Sequence, residues 1–293
     1  MPRTPVTHAD VERITRGGRQ ATSDLVAVEE PLQILLEHGQ AHAREVTPLA
    51  VTMRTPGHDS DLVTGFLRAE GVISRAEDLI SVRHCARAEI PDNVVRAVLQ
   101  QDVVVPSHLM KRSLMMTSAC GVCGERTVEA LSSKGCTPIP IGPERYSPDA
   151  IRVALRALET SQAWFRRTGG THGAALFDRN GSLLLHREDV GRHNALDKLF
   201  GARLVARADL EQDCFVVVSS RASFELVQKT IRAGSPMLVS IGAPSSLAIE
   251  TAERFDLTLG GFASEDRLNV YAGAVRIAGD IGERTFFDVG AAE

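Results

Sequence analysis

The stretch Cys214-Phe215-Val216-Val217-Val218-Ser219-Ser220-Arg221-Ala222-Ser223 decides the fold that this sequence predicts. It joins an apolar run of strand length to a short turn of small hydroxyl residues, and a helix is predicted after it over residues 222–233. The same design continues with a strand at 236–240, a helix at 245–255 and a strand at 257–259. Strands that alternate with helices at this spacing predict a parallel sheet covered by helices.

The segment upstream of this stretch extends the same domain. Two apolar runs at 174–177 and 182–185 flank Asp178-Arg179-Asn180-Gly181, and an Asn-Gly pair in that position predicts a β-hairpin. Ser147-Pro148-Asp149 predicts a helix start. Apolar residues then recur on one face of that helix, namely Ile151, Leu155, Leu158 and Trp164. We expect one α/β domain over residues 141–293, with its boundary among the Gly and Pro residues of 135–148.

The first half of the chain reads as a smaller, β-rich domain over residues 24–140, which makes the whole chain α+β. Strands are predicted at 25–28, 32–36 and 49–53, the first two paired antiparallel across Glu29-Glu30-Pro31, with further candidates at 82–85 and 102–106. A helix is predicted to begin at Asp59 or Ser60 as its cap, with Leu62, Phe66 and Leu67 on one face. Residues 1–23 show little periodicity and are predicted to form a loose tail.

Composition narrows the functional class. The chain has 293 residues, of which 43% are apolar and 24% charged, and a net charge of −4. That balance is ordinary for a globular protein and gives no global reason to expect nucleic acid or an anionic membrane as a partner. No apolar run reaches the roughly 18 residues of a membrane span, and the polar Met1–Pro5 lacks a signal core. We therefore expect a cytoplasmic protein, in which an odd count of five cysteines argues against a disulfide scaffold.

The pattern Cys120-Gly121-Val122-Cys123-Gly124 is the main candidate for reactivity. Glycines around both thiols predict an accessible loop, and accessible thiolates bind metals, exchange disulfides or carry sulfur. A structural zinc site needs two further ligands, but Cys136 stands alone, and the deaminase-like His186-Arg187-Glu188 follows the CxxC instead of preceding it. We therefore expect no metal. Thioredoxin-like exchange stays open, because 113–117 could be a strand and 124–129 could start a helix.

Small hydroxyl-rich turns after the predicted strands indicate a nucleotide pocket. Ser219 to Ser223, including Arg221, follows one strand, and 242–246 follows the next. In a parallel sheet such turns meet at one edge, where helix N-termini face anions, although ordinary helix capping predicts the same residues. Phe262 could stack on a purine or belong to the core. The dense segment 188–198 either places Arg192, His193 and Asn194 beside the pocket or forms a solvated helix start.

Several strings together resemble one family, the FdhD family of accessory sulfurtransferases for formate dehydrogenase. They run in family order from about residue 24 to the C-terminus. The strings are Arg54-Thr55-Pro56-Gly57-His58-Asp59, Cys120-Gly121-Val122-Cys123-Gly124, and the segments 168–172, 188–198, 219–226, 243–250 and 262–271. The resemblance covers nearly the whole chain and is more specific than any single motif.

The resemblance implies a fold and a chemistry. Members have a larger domain similar to the three-layer α/β fold of cytidine deaminases, without its zinc site. They accept persulfide sulfur from a cysteine desulfurase, which implies Cys120 as the carrier and Cys123 as its companion. They deliver it to the molybdenum cofactor in its bis(guanine dinucleotide) form, which serves the catalytic subunit of formate dehydrogenase. The implied cofactor contacts are Phe262, Ala263, Ser264, Glu265, Asp266 and Arg267, beside Ser219, Arg221 and His193.

Three hypotheses are ranked on this basis. A sulfur carrier and cofactor chaperone comes first, a thiol–disulfide oxidoreductase second, and a non-catalytic nucleotide-binding module third. The first predicts that GDP, a fragment of the cofactor, binds in the second domain. It leaves open a homodimer and predicts no nucleic-acid or membrane partner. Persulfide labelling after incubation with a desulfurase and cysteine separates the first hypothesis from the other two.

Overall fold

A computed structural model of the chain describes residues 4–86, 88–110, 136–143, 145–206 and 214–279. Cys120 and Cys123 lie outside these ranges. The strands are β1 (Val6–Thr15), β2 (Gly18–Ala27), β3 (Glu30–His38), β4 (Glu45–Arg54), β5 (Leu79–His84), β6 (Val94–Leu99), β7 (His172–Phe177), β8 (Leu183–Asp189), β9 (Phe215–Val218), β10 (Met237–Ser240), β11 (Thr258–Gly261) and β12 (Asn269–Ala272). The α-helices are α1 (Asp59–Ala69), α2 (Ser107–Met110), α3 (Pro148–Ser161), α4 (Ala163–Thr168), α5 (Arg192–Ala206), α6 (Phe224–Arg232) and α7 (Ser246–Arg254).

The larger sheet has six strands in the order β12-β11-β10-β9-β7-β8. Strands β9, β10 and β11 are parallel, as the sequence predicts, and β7 and β8 form the predicted antiparallel hairpin. Side chains alternate along β9: Val216 and Val218 pack with residues of α5, α6 and α7, whereas Phe215 and Val217 pack with α3. Both faces of the sheet are therefore covered, which confirms the three-layer α/β fold.

The smaller sheet has four strands in the order β4-β3-β6-β5. β3 pairs antiparallel with β4 and parallel with β6. Leu32, Ile34 and Leu36 of β3 form one core with Leu62 and Leu67 of α1, so the predicted apolar face of this helix covers one face of the sheet. Among the described residues, no helix is both long enough and apolar enough to cross a membrane.

The predicted loose tail is wrong, because residues 6–27 form an antiparallel ribbon. β1 and β2 pair along their whole length, from Val6 with Ala27 to Thr15 with Gly18. Both faces of this ribbon are largely exposed, so neither strand needs the alternating apolar pattern by which a half-buried strand is found in a sequence. The predicted pairing of residues 25–28 with 32–36 is also wrong. β2 pairs with β1, and β3 pairs with β4 and β6.

Three local predictions are also corrected. α1 begins without a side-chain cap, because Asp59 binds Arg54 instead of the helix N–H groups. Residues 102–106 form no strand, and the edge of the sheet next to β6 is formed by β5. Trp164 lies in the separate helix α4, because α3 ends at Ser161 and Gln162 leaves the helical conformation.

Helices α1 and α5 join the two sheets through two glycines. A Cβ on Gly65 would lie 1.9 Å from the backbone oxygen of Asp197, and one on Gly201 would lie 1.9 Å from that of Asp61. Only glycine allows the two helix backbones to touch in this way. The segment before α3 packs with the larger sheet, since Ile139 lies in its core and donates its N–H to the Phe255 carbonyl at 2.9 Å.

Candidate functional site

The carboxyl ends of β9, β10 and β11 form one edge where the turns are bonded to each other. The Ala222 N–H donates to the Ala243 carbonyl at 3.1 Å, and the Gly242 N–H donates to the Ser220 carbonyl at 3.1 Å. The Phe262 N–H donates to the Gly242 carbonyl at 3.1 Å. Three turns that are far apart in sequence thus form a single surface, at the edge where parallel α/β sheets bind ligands.

Gly242 lies between the turn that carries Arg221 and the turn that carries Phe262. A Cβ on Gly242 would lie 2.8 Å from the Arg221 side chain and 2.9 Å from its Cα, so the two backbones are in close contact. A Cβ on Gly261 would lie 3.3 Å from the Gly242 carbonyl oxygen. The absence of side chains at Gly242 and Gly261 therefore keeps the Arg221 turn next to the Phe262 turn.

Phe262 is a surface residue in a constrained backbone conformation. The residue is 39% exposed and its φ is 49°, in the left-handed region that bulky residues rarely occupy. The Arg267 guanidinium carbon lies 5.1 Å from the ring centroid, within cation–π range. The Ser264 N–H donates to the Arg267 carbonyl at 2.8 Å and closes the turn, while Ala263 is buried beneath it. Phe262 is thus excluded from the core and presents an aromatic surface.

The two acids of this turn differ in their surroundings. Glu265 is held by α3, because Arg152 Nε donates to its carbonyl at 2.9 Å and Arg156 Nε lies 3.5 Å from its carboxylate. Asp266 and Ser264 are exposed beside Phe262. Carboxylates at the rim of an aromatic surface are suited to accept the N–H groups of a guanine edge.

His193 reaches the same edge from the start of α5. Its Nε2 lies 2.8 Å from Glu225 Oε2 and 3.5 Å from Ser223 Oγ, both at the start of α6. Burial would raise the pKa of Glu225, but the hydrogen bond and charge of His193 hold it below its usual value. Because the serine and the acid share one ring nitrogen, these three residues do not form the relay of a serine hydrolase, in which they use opposite nitrogens.

His172 also belongs to this edge, although it is not among the individual site residues predicted from the sequence. β7 runs antiparallel to β9, so its first residues lie beside the carboxyl end of β9, where the Gly173 N–H donates to Ser219 Oγ at 2.9 Å. Burial lowers the pKa of His172, and the charges of Arg192 and His193 lower it further. Arg192 Nε is buried and has no hydrogen-bond partner among the described residues. Only strand pairing reveals this cluster, because His172 lies 20 residues before Arg192 and 47 residues before Ser219 in the sequence.

The rest of the 188–198 segment is buried between the two sheets. Lys198 Nζ lies 2.7 Å from Asp189 Oδ2, and neither side chain is exposed to solvent. Lys198 also donates to the Thr55 carbonyl at 2.8 Å, and Asn194 donates to the Met53 carbonyl at 2.7 Å. The prediction of a solvated helix start is therefore wrong, and Asn194 lies in the junction instead of the pocket.

The Arg54–Asp59 motif has a similar structural role. Arg54 is buried and donates to both carboxylate oxygens of Asp59 at 3.0 Å each. Across the junction, Arg187 of β8 donates two hydrogen bonds to Asp61 Oδ2, at 2.9 and 2.7 Å. The bonds of Lys198, Asn194 and Arg187 thus hold the two sheets together, and Arg54 and Asp59 pair with each other within the smaller domain.

The predicted site residues of the second domain therefore fall on one edge. Ser219, Arg221 and the Phe262–Arg267 turn share the bonded surface, and His193 lies at its margin. Within the described ranges, no group of three His, Cys, Asp or Glu side chains is arranged to hold a metal ion. The chemistry of the edge is that of an aromatic surface with acids and arginines, which suits a purine nucleotide.

Comparisons with known proteins identify the family. The sequence model described as the FdhD/NarQ family matches residues 27–278. The sulfur carrier protein FdhD of Streptomyces coelicolor is 43% identical over 274 residues, which cover 92% of this chain and 94% of that protein. The protein of the same name from Mycobacterium tuberculosis is 40% identical over 261 residues, which cover 87% of this chain and 92% of that protein.

A solved structure agrees with the sequence relatives. The crystal structure of a formate dehydrogenase accessory protein from Desulfotalea psychrophila superposes with a TM-score of 0.72 at 26% identity, and the match covers 94% of this chain and 100% of that one. The resemblance first carried by the scattered motifs is confirmed over the whole length of the fold. The chain therefore belongs to the FdhD/NarQ family of sulfur carrier proteins.

Proposed function

We propose that this chain carries sulfur as a persulfide on Cys120 and delivers it to the guanine-dinucleotide form of the molybdenum cofactor used by formate dehydrogenase. The observation that supports the proposal best is the edge at which Phe262, Arg267 and Arg221 come together next to helix starts. A cofactor that ends in guanine nucleotides needs such an aromatic, cationic surface. The relatives, named as sulfur carriers and as a formate dehydrogenase accessory protein, support the same reading.

Loading of sulfur follows from thiolate chemistry. The Cys120 thiolate attacks the terminal sulfur of a persulfide on a cysteine desulfurase, and a new S–S bond forms as the old one breaks. The donor cysteine leaves as a thiolate, so the exchange needs no outside oxidant or reductant. Glycine after each cysteine leaves room for a protein partner to approach.

Release as sulfide requires two electrons, which Cys123 can provide. Its thiolate attacks the Cys120 sulfur, the terminal sulfur leaves as hydrosulfide, and a Cys120–Cys123 disulfide remains. A cellular dithiol then reduces this disulfide and resets the carrier. This step explains why a carrier would keep two cysteines three positions apart, when loading requires only one.

The cofactor itself is the cargo, and the residues at the edge suit its nucleotide ends. Phe262 would stack on guanine, and Asp266 would accept the N–H groups of the base edge. Arg221 and Arg192 provide positive charge for the phosphates, together with the N–H groups at the starts of α6 and α7. The exposed side chain of Phe262 and the Arg192 Nε, which has no hydrogen-bond partner within the described ranges, are the features of this edge that a bound nucleotide would use.

A persulfide assay tests the sulfur step. The full-length chain is incubated with a cysteine desulfurase and cysteine, labelled with a persulfide-specific reagent and mapped by mass spectrometry. We expect one additional sulfur atom on Cys120 and none on the Cys120→Ala variant. Cys85→Ala is the matched control and should load normally. A disulfide between Cys120 and Cys123 without any added sulfur would favour the oxidoreductase hypothesis.

Calorimetry with nucleotides tests the cargo step. We expect GDP to bind and ATP to bind at least about tenfold more weakly, because adenine leaves the acceptors of a guanine site unpaired. Phe262→Ala should weaken GDP binding, whereas Phe165→Ala should not, because Phe165 is a comparably exposed phenylalanine on α4. Equal affinity for the two nucleotides would contradict the guanine assignment.

A further inference from the structure

The outer face of the smaller sheet, opposite α1, carries two adjoining cavities. One has a volume of about 650 Å³ and lies between the sheet and residues 88–93, and the other has a volume of about 540 Å³ and lies along β5 and β6. Cys85 and Arg96 line both cavities, so the two share a wall. Each volume is within the range of ordinary small-ligand sites.

The first cavity is mainly apolar. Its floor includes Val51 and Val94, which both pair with Gln33 and therefore point to the same face, and Leu35 lies beside them. Ile90, which is 49% exposed, forms part of its rim. This cavity can take the apolar body of a ligand, and the polar side chains Gln33, Glu89, Asn93 and Arg96 also line it.

The second cavity holds an unfavourable pair of arginines. Arg83 of β5 and Arg96 of β6 are directly opposite each other, and like charges in that position destabilise a sheet. The Arg83 guanidinium donates to Ser81 Oγ, at 3.1 and 3.4 Å. Arg96 reaches Glu37 at 3.4 Å, but Glu37 already accepts a shorter bond from Arg44 at 2.9 Å. One carboxylate is thus shared by two arginines while Arg83 faces a neutral hydroxyl.

Two polar atoms in the cavity walls have no hydrogen-bond partner among the described residues. They are Arg96 Nε, a donor, and Asn93 Oδ1, an acceptor, and both are buried from solvent. The nearby His84 is engaged by Asp59 at 3.3 Å, and Glu89 lines only the first cavity. The second cavity therefore carries more positive than negative charge, with Arg83 and Arg96 against Glu37, and the wall that it shares with the first cavity carries an unmet donor.

We propose that these cavities bind a small organic monoanion, with its acid group between Arg83 and Arg96 and its apolar body against Val51 and Val94. An anion at this position would relieve the repulsion between Arg83 and Arg96. It would also provide a carboxylate or similar partner for the arginine charge that the single carboxylate of Glu37 does not neutralise. A peptide is the weaker candidate, because the face of a sheet offers no free backbone groups to satisfy a peptide backbone. The site lies on the other sheet from the nucleotide edge and does not depend on sulfur transfer.

A matched pair of dyes tests the proposal on the full-length chain. The probes are 1-anilinonaphthalene-8-sulfonate and the neutral N-phenyl-1-naphthylamine, which has the same aromatic body without the sulfonate. We expect the anionic dye to bind at least about tenfold more tightly than the neutral one, and Arg83→Gln to remove about that factor. Arg13→Gln, a substitution on the β1–β2 ribbon, is the matched control and should have no effect.

Further measurements locate the dye. Ala88→Trp fills the first cavity from the loop side and should abolish binding without changing the circular dichroism spectrum. Bound dye should also slow alkylation of Cys85 by iodoacetamide, measured on its own peptide. Phe262→Ala should leave dye affinity unchanged, which separates this site from the nucleotide edge. Equal binding of the two dyes, or affinity that is unchanged in Arg83→Gln and Ala88→Trp, would overturn the proposal.

Discussion

The buried ion pair between Lys198 and Asp189 leads to the sharpest prediction about stability. The two charged atoms are 2.7 Å apart and both side chains are 0% exposed. At an effective dielectric constant of about 20, unit charges at this separation attract by about 6 kcal/mol, before the cost of desolvating both is counted. Lys198→Met removes the cation and leaves a buried carboxylate, so we expect the free energy of unfolding to fall by about 3–5 kcal/mol.

The surrounding bonds explain why the loss should stay within that range. Asp189 keeps two backbone donors in the variant, the N–H groups of Thr55 at 3.1 Å and Gly191 at 2.9 Å. The Thr55 carbonyl, in contrast, loses the donor at 2.8 Å that Lys198 provides. Asp189→Asn should be destabilising on its own, but the two substitutions together should cost about 2–3 kcal/mol less than their sum, because the stranded charge is absent from the double variant.

Urea denaturation followed by the fluorescence of Trp164 is a suitable assay. Trp164 is the single tryptophan of the chain, and it lies beside Gly57 in the loop that the ion pair holds. Arg13→Met is the control, since its ion pair with Asp24 is 57% and 55% exposed and should contribute less than about 1 kcal/mol. A cost below about 1 kcal/mol for Lys198→Met, or strict additivity in the double variant, would refute the assignment of this pair as the buried ion pair that anchors the Thr55 loop.

Three further predictions follow from the site and the junction. Cys120→Ala should fold normally by circular dichroism but fail to activate formate dehydrogenase in a deletion strain; activation by this variant would contradict the carrier role. Arg267→Ala should accept persulfide from a desulfurase but lose GDP affinity and fail in delivery, and unchanged calorimetry would count against the edge. Burial raises the pKa of Asp61, but hydrogen bonds and charges from His58 and Arg187 bring it below its usual value. The Asp61 carboxylate contributes its full stabilisation above its unfolded pKa of about 4, and this stabilisation is lost as the pH falls through the lower pKa of the folded state. Arg187→Met should therefore flatten the acid limb of the curve of unfolding free energy against pH.

The sequence was sufficient for the parts of the fold whose signals are local. The apolar runs of β9 and β10 are continuous because both faces of these strands are buried, and each is followed by a turn of small residues that starts a helix. The Asn-Gly pair before β8 is a hairpin signal by itself, because few other residues adopt the conformation that its turn requires. Since the carboxyl ends of parallel strands meet at one edge, the alternation of elements alone predicted that Ser219 and Arg221 lie there, whereas it left open whether Phe262 faces that edge or the core.

The tertiary structure decided which polar residues belong to the site and which to the core. Thr55 and Asp189 are bonded although more than a hundred residues separate them, and no local pattern records that contact. His172 reaches the edge because β7 pairs antiparallel with β9, and β1 becomes a strand because β2 lies beside it. Propensity and periodicity report how a residue relates to its neighbours in sequence. The burial of a charge depends on partners that only the folded chain brings within hydrogen-bond distance.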